Sequence, residues 1–315
     1  MIGPTQAPSG PRTGLLFPGQ GVQAEGMGKP WRTCAGWEVV DEVAEATGTD
    51  IAALLLSTSG ESLRRTDLAQ IAVFATAMIA FRESGDELGA PHACAGQSVG
   101  EYVALVAARA LSLADGARLV AARGRAMLAA SDRSPGTMAA VLGDPPAVAA
   151  FAADVTDADA PAWAANFNAP QQVVISGTVA GIETASQMAA DRGLKAIRLR
   201  VGGAFHSPLM ASAAQELGVA LAEAQFAPRH APVVANVDAR LYTEACDWPE
   251  LLMRQLTSPV RWVDAVRCLA EDARCDRLVE LGTGKTLTSM VRRILPDVET
   301  FAVNTPSAAS ARTLS

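Results

Sequence analysis

The chain has 315 residues, 50% of them hydrophobic and 19% charged, with a formal net charge of −7. This is the composition of a globular protein with one sizeable core and room for a smaller unit. Its acidity excludes a nucleic-acid binder held mainly by phosphate contacts; its longest apolar run, 68–81, carries Gln70 and Thr76 and is too short to span a membrane.

Residues 1–13 are rich in Pro, Gly and Thr, have no apolar stretch of the kind a signal peptide needs, and read as a loose tail. A short apolar strand at 14–17 is broken by Pro18-Gly19-Gln20-Gly21. A helix at 67–84, apolar on nearly every face, is expected to be buried and to end at Gly85. A strand at 93–95, a sharp glycine-bounded turn, a helix at 99–109 and another at 114–130 come next. From 134 the pattern changes to strand 137–142, a helix from Pro145, strands 163–167 and 172–176, a helix 180–192 and a strand 195–201. This βαββαβ order is the split pattern of ferredoxin-like folds, so 134–201 is expected to be a small inserted domain. The larger domain, 14–133 and 202–304, resumes with a helix at 208–223 and a strand at 233–237. Helices at 250–255 and 263–271, a strand at 277–281, a helix at 285–294 and a strand at 299–303 complete it. Strands alternating with helices predict an α/β fold with a mainly parallel sheet. Residues 305–315 read as a second flexible tail.

Five scattered cysteines (Cys34, Cys94, Cys246, Cys268 and Cys275) include no C-x-x-C pair, so neither a disulfide framework nor a structural zinc site is expected. A reducing cytoplasm is their natural setting. No His, Asp or Glu pair has metal-ligand spacing in a supporting context.

Gly96-Gln97-Ser98-Val99-Gly100 lies between an expected strand and an expected helix. The glycines allow a sharp turn that holds Ser98 at a helix N-terminus, where free N–H groups can stabilise an oxyanion. With 26 glycines such a motif can arise by chance, and its placement is what gives it weight. A serine hydroxyl needs a base, and there are only three histidines. His206 precedes Ser207-Pro208, which reads as a helix N-cap and first helical residue; the positive helix end would keep its imidazole neutral. His92 and His230 have no such setting. In the helix 114–130, Arg123 falls within the apolar stripe of Leu119, Val120 and Met127, whereas Arg118 and Arg125 face elsewhere. A buried arginine needs an anionic partner, either a protein carboxylate or a carboxylate of the ligand. Two further glycine motifs carry less. Gly19-Gln20-Gly21-Val22-Gln23-Ala24 meets only the loose dinucleotide pattern, and Gly284-Lys285-Thr286 lacks the earlier glycine of a phosphate loop.

Taken together, these segments resemble the malonyl-CoA:acyl carrier protein transacylase family, also seen as acyltransferase domains of polyketide synthases. The resemblance runs from about Gly14 to Val303. It rests on Leu16-Phe17-Pro18-Gly19-Gln20-Gly21, Gly96–Glu101, Arg123-Gly124-Arg125-Ala126-Met127 and Asn166-Phe167-Asn168-Ala169-Pro170. Further matches are Val173-Val174-Ile175-Ser176-Gly177, Gly203-Ala204-Phe205-His206-Ser207, Arg254-Gln255-Leu256 and Glu280-Leu281-Gly282-Thr283-Gly284-Lys285. It implies an α/β-hydrolase-like large domain with a ferredoxin-like insert. It further implies that Ser98 takes a malonyl group from malonyl-CoA, with His206 as base, and passes it to the phosphopantetheine thiol of an acyl carrier protein. The resemblance assigns the Gln255 backbone carbonyl to orienting His206, and the N–H groups of Gln20 and Val99 to the oxyanion hole. Arg123 would hold the malonyl carboxylate, Asn168 would shape the site near His206, and Phe205 would crowd a substituent on the α-carbon. Gln97 stands where most members have histidine, and Gly282-Thr283-Gly284-Lys285 where Gly-Pro-Gly-Lys is usual. No cofactor is expected, since malonyl-CoA is a substrate and the pantetheine arm belongs to the carrier. Lys285, Arg292 and Arg293 could offer an acidic carrier a basic patch. The other chemistry open to the same dyad is hydrolysis of an acyl thioester. Nothing in the chain demands more than a monomer.

Overall fold

The computed structural model describes residues 11–157, 161–244 and 248–310. In chain order the large unit opens with β1 (Thr13–Phe17), α1 (Val39–Thr47), α2 (Ile51–Leu56), α3 (Thr66–Leu88), β2 (Ala93–Gly96), α4 (Gly100–Ala107) and α5 (Leu113–Arg133). The chain then builds β3 (Gly136–Leu142), α6 (Pro145–Asp157), β4 (Ala162–Ala169), β5 (Gln172–Thr178), α7 (Val179–Asp191) and β6 (Lys195–Arg198). It returns with α8 (Ala211–Glu223), β7 (Arg229–Val234), β8 (Leu241–Glu244), α9 (Trp248–Thr257), α10 (Trp262–Glu271), β9 (Arg277–Leu281), α11 (Thr286–Ile294), β10 (Glu299–Val303) and α12 (Pro306–Ser310).

The main sheet has the order β10-β9-β1-β2-β7-β8. Every pairing from β10 to β7 is parallel, and β8 closes the edge antiparallel to β7. β1 lies in the middle and is buried along its whole length, as a strand covered on both faces must be. Its side chains alternate between two cores. Leu15 and Phe17 join the core beneath α1, α3, α4 and α5, while Leu16 joins Trp262, Val266 and Leu269 of α10 and Leu287 and Val291 of α11. A parallel sheet gathers all its carboxyl ends on one edge, where ligands of open α/β sheets bind. The segments after β1, β2, β7 and β9 therefore converge there.

The second sheet is antiparallel, in the order β4-β5-β3-β6, the strand order expected of a βαββαβ unit. α6 and α7 cover one face through Phe151, Val155, Ile182 and Ala185. The opposite face turns Met138 and Val174 toward the main core. A short link to the main unit runs through Phe167 N–H to Val260 O and Val260 N–H to Ala165 O, both 2.9 Å.

The structure corrects several expectations. α3 passes through Gly85 and stops at Gly89, whose φ of +65° breaks the helical path. Gly85 needs no such conformation, so its weak helix propensity does not end a helix anchored by the buried run 69–80. β7 spans Arg229–Val234, earlier than expected, and β8 was not anticipated. The turn between them uses Ala239 at φ +58°, a position glycine usually marks. β6 is shorter than the expected strand 195–201. The tails are also shorter than expected. Arg12 pairs with Asp276 (2.9 Å) and Thr13 opens β1, while α12 sets Ala308 against the core. Residues 1–10 and 311–315 lie outside the described residues.

Candidate active site

The turn from β2 into α4 is forced by its neighbours. A Cβ on Gly96 would lie 1.9 Å from the Gly100 carbonyl carbon, and one on Gly100 would lie 2.2 Å from Phe17 O. Neither position admits a side chain. Ser98 between them adopts φ +54°, a left-handed conformation that costs a non-glycine residue on the order of 1 kcal/mol. The elbow also rests on β1, with Gln97 N–H donating to Phe17 O at 2.9 Å. The loop after β1 packs against it: a Cβ on Gly19 would meet Gln97 O at 2.7 Å.

Ser98 Oγ lies 2.7 Å from His206 Nε2, and His206 Nδ1 lies 2.8 Å from the backbone O of Gln255. A carbonyl only accepts, so Nδ1 carries the proton and Nε2 is left free to accept one. His206 is itself held at φ +58° and buried. Ser207 takes the N-cap position before Pro208, its hydroxyl donates back to Ala204 O (2.6 Å), and the chain enters a three-residue 3-10 turn that runs directly into α8. A helix therefore begins just after His206, as expected. Burial also favours the neutral imidazole, lowering the His206 pKa to about 4, with the nearby positive charge of Arg123 acting in the same direction.

Arg123 sits inside α5 at 1% exposure. Its Nη2 donates to Ser98 Oγ at 3.0 Å and to Gln255 Oε1 at 2.8 Å, and Nη1 donates to Gln70 Oε1. The Tyr102 ring lies beneath it, 5.7 Å from the guanidinium carbon. Every hydrogen-bond partner is neutral. Among the described residues no carboxylate comes within ion-pair distance of Arg123, and its Nε–H is buried without an acceptor. Arg118 and Arg125 are exposed.

The other expected site residues fall around the same centre. The backbone N–H groups of Gln20 and Val99 donate to no acceptor among the described residues. The Gln20 side chain is fixed by Thr66 Oγ1 (2.8 Å), which in turn accepts from Gln70 Nε2 (2.9 Å). Gln97 Nε2 donates to Asn168 Oδ1 at 2.7 Å, so Asn168 engages Gln97 rather than His206. A cavity of about 130 Å³ opens onto Ser98, Arg123 and His206, with Met138, Val174 and Phe205 on its apolar wall. A larger groove of about 1210 Å³, bordered by Pro91 and Arg229 at the opposite edge of the sheet, includes none of these residues.

Two contributors escaped the sequence reading. Glu101, at 1% exposure, accepts from Asn236 N–H (2.8 Å) through Oε1 and from Gln255 Nε2 through Oε2. Burial pushes its carboxyl up to about 8, against the pull of Asn236 N–H, Gln255 and Arg123. Asn236, just past β7, accepts from Ser98 N–H and donates to Gly96 O, each at 2.7 Å. Glu101 was within reach, because the test of a charge among buried neighbours that singled out Arg123 applies equally to it. An acid in the first turn of a helix, however, is ordinarily read as a favourable partner of the helix dipole. Asn236 carries no motif.

A hydroxyl, an imidazole and a carbonyl in one hydrogen-bonded line, beside two unengaged N–H groups, is the arrangement of serine acyl-transfer chemistry. A family model, the acyl transferase domain, matches residues 15–310, and the chain belongs to that family. It is 39% identical over 299 residues to the malonyl CoA-acyl carrier protein transacylase of Bacillus subtilis (strain 168), covering 93% of each chain. Among solved structures it superimposes on the acyl-carrier-protein S-malonyltransferase of Burkholderia pseudomallei 1710b with a TM-score of 0.89. That pair shares 34% identity over 96% of this chain and 99% of the other. It also matches a malonyl-transacylase solved with its type II polyketide acyl-carrier protein, at a TM-score of 0.88 and 32% identity over 95% and 98% of the two chains.

Proposed function

We propose that this chain is an acyl carrier protein S-malonyltransferase of fatty acid or polyketide biosynthesis, and that Ser98, His206 and Arg123 carry the reaction. In the first half-reaction Ser98 Oγ attacks the thioester carbonyl of malonyl-CoA while His206 Nε2 takes the hydroxyl proton. The carbonyl oxygen becomes an oxyanion, met by the N–H groups of Gln20 and Val99. Collapse breaks the C–S bond, and His206 returns its proton to the leaving thiol. In the second half-reaction the phosphopantetheine thiol of the carrier attacks the Ser98 ester, its proton passing to His206 and then back to Ser98 Oγ.

The observation that carries the substrate assignment is Arg123. A buried guanidinium surrounded by neutral partners, 3.0 Å from the nucleophile, is matched to an acyl group that brings its own carboxylate. In malonyl that carboxylate lies one methylene beyond the reacting carbonyl, within reach of the same fork. Hydrolases of uncharged acyl chains have no use for it. Phe205 narrows the space beside the α-carbon and favours malonyl over methylmalonyl. Gln97, which stands where the family resemblance places a histidine, is tied to Asn168 on the wall of the site. Lys285, Arg292 and Arg293 are exposed on and beside α11, whose Met290 touches Gln97, and suit an acidic carrier. No helix among the described residues is long and apolar enough to cross a membrane. A cytoplasmic setting accords with the free thiols of Cys34, Cys94, Cys268 and Cys275 among the described residues, outside which Cys246 lies.

The test is Arg123→Ala, assayed with malonyl-CoA and acetyl-CoA. Losing one side of a buried charge pair predicts a fall of at least about 10²-fold in kcat/KM for malonyl-CoA, with acetyl-CoA still able to acylate Ser98. Unchanged preference for malonyl-CoA would refute the carboxylate role.

A further inference from the structure

The strained residue Ser98 is held from both sides. On its amino side the Asn236 amide spans the elbow, accepting from Ser98 N–H and donating to Gly96 O, each at 2.7 Å. On its carbonyl side Gln255 Nε2 donates to Ser98 O at 2.9 Å, while Gln255 Oε1 accepts from Arg123. These clamps come from separate parts of the chain, the end of β7 and α9. One side chain joins them. Glu101 gives one carboxyl oxygen to Asn236 N–H and the other to Gln255 Nε2. Glu101, Asn236 and Gln255 are each at most 1% exposed, so no water can replace a lost partner without a rearrangement.

We propose that Glu101 is a positioning residue for the nucleophile: its two oxygens hold the Asn236 and Gln255 clamps that keep Ser98 in its left-handed conformation, with its hydroxyl between His206 and Arg123. The inference rests on the reading of Ser98 as the nucleophile. Its logic is that the ionised carboxylate, the form present above its raised pKa and hence in assays run at about pH 9, offers an acceptor at both ends, and both facing groups are N–H donors. A glutamine of the same shape offers one acceptor and one donor. Glu101→Gln therefore sets an N–H against an N–H at one of the two clamps, whichever way its amide turns.

The experiment measures single-turnover acylation of Ser98 by malonyl-CoA, monitored by intact mass, for the wild type, Glu101→Gln and Asn236→Ala. Rates are normalised to the fraction of chains that become labelled at the plateau, and thermal melts are recorded in parallel. In each variant the maximal acylation rate should fall about 10- to 100-fold, the range for losing hydrogen bonds around a buried charged group. The half-saturating malonyl-CoA concentration should stay within about threefold. Asn236→Ala leaves Glu101 in place and removes only the grip on the elbow, so it keeps the test alive should Glu101→Gln fail to fold. Wild-type maximal rates per labelled serine, even with a lowered melting temperature, would overturn the proposal by making the network merely structural. A change confined to half-saturation would overturn it too. A wild type that takes no malonyl at all would instead refute the proposed function, and is read from its own arm.

Discussion

At the scale of single residues, the site is organised by what each group cannot do. The Gln255 carbonyl cannot donate, so it fixes the proton of His206 on Nδ1. Arg123 cannot lose its charge and has only neutral hydrogen-bond partners, which is why a substrate carboxylate is proposed for it. His206 is held near a pKa of about 4 by burial and by Arg123, which keeps its base form at any higher pH. Because the pKa is lowered, the base form of His206 is lost only as pH falls through that lower value. His206 should therefore add no inflection to kcat/KM for acylation by malonyl-CoA between about pH 8 and about pH 5, and a decline below, because this parameter tracks the free enzyme's base. A fall nearer pH 8 belongs to protonation of Glu101. An inflection near the ordinary histidine value of about 6.5 would contradict the buried, Arg-facing imidazole.

At the scale of elements, glycine separates the parts the sequence displays from those it hides. Gly96 and Gly100 are needed because backbone occupies the space of their missing side chains, so the elbow could be read from its motif. Gly85 lies inside α3 with nothing within 4 Å of where a Cβ would go, and so it did not end the helix as expected. The two positions predict opposite outcomes in denaturant unfolding. Gly96→Ala should destabilise the protein by more than about 3 kcal/mol, since the clash is with backbone that cannot yield. Gly85→Ala should stabilise it by about 0.5–1 kcal/mol, by raising helix propensity at no steric cost. A neutral Gly96→Ala, or a Gly85→Ala as damaging as Gly96→Ala, would contradict this account of the turn and the helix. Most strands were legible from period-two or fully apolar runs, and β9 and β10 match their expected bounds. β8 was not, because its turn places Ala239 where a glycine would have signalled it. The dyad and Arg123 were legible because their residue types are rare or out of place in their surroundings. Asn236 was not, since only the folded sheet brings position 236 to the elbow.

At the scale of the whole molecule, the main sheet supplies Ser98, the proposed nucleophile, and the small antiparallel sheet lies over it. The loop after β1, the elbow after β2 and Asn236 after β7 meet at the carboxyl edge of the main sheet, and the small sheet brings Met138, Val174 and Asn168 above them. With Ser98 as the proposed acyl acceptor, Arg123 as the proposed cation for the far carboxylate and an exposed basic edge at Lys285, Arg292 and Arg293, the site is suited to hold malonyl between two thiols. The central claim is that the acyl-enzyme waits for a carrier rather than for water. The most direct measurement is intact mass after mixing the wild type with malonyl-CoA, first alone and then with a phosphopantetheinylated acyl carrier protein. The expected result is the gain of one malonyl group, mapped to Ser98, which persists in buffer and moves to the carrier when it is added. Release of free malonate at the same rate with and without the carrier would contradict it.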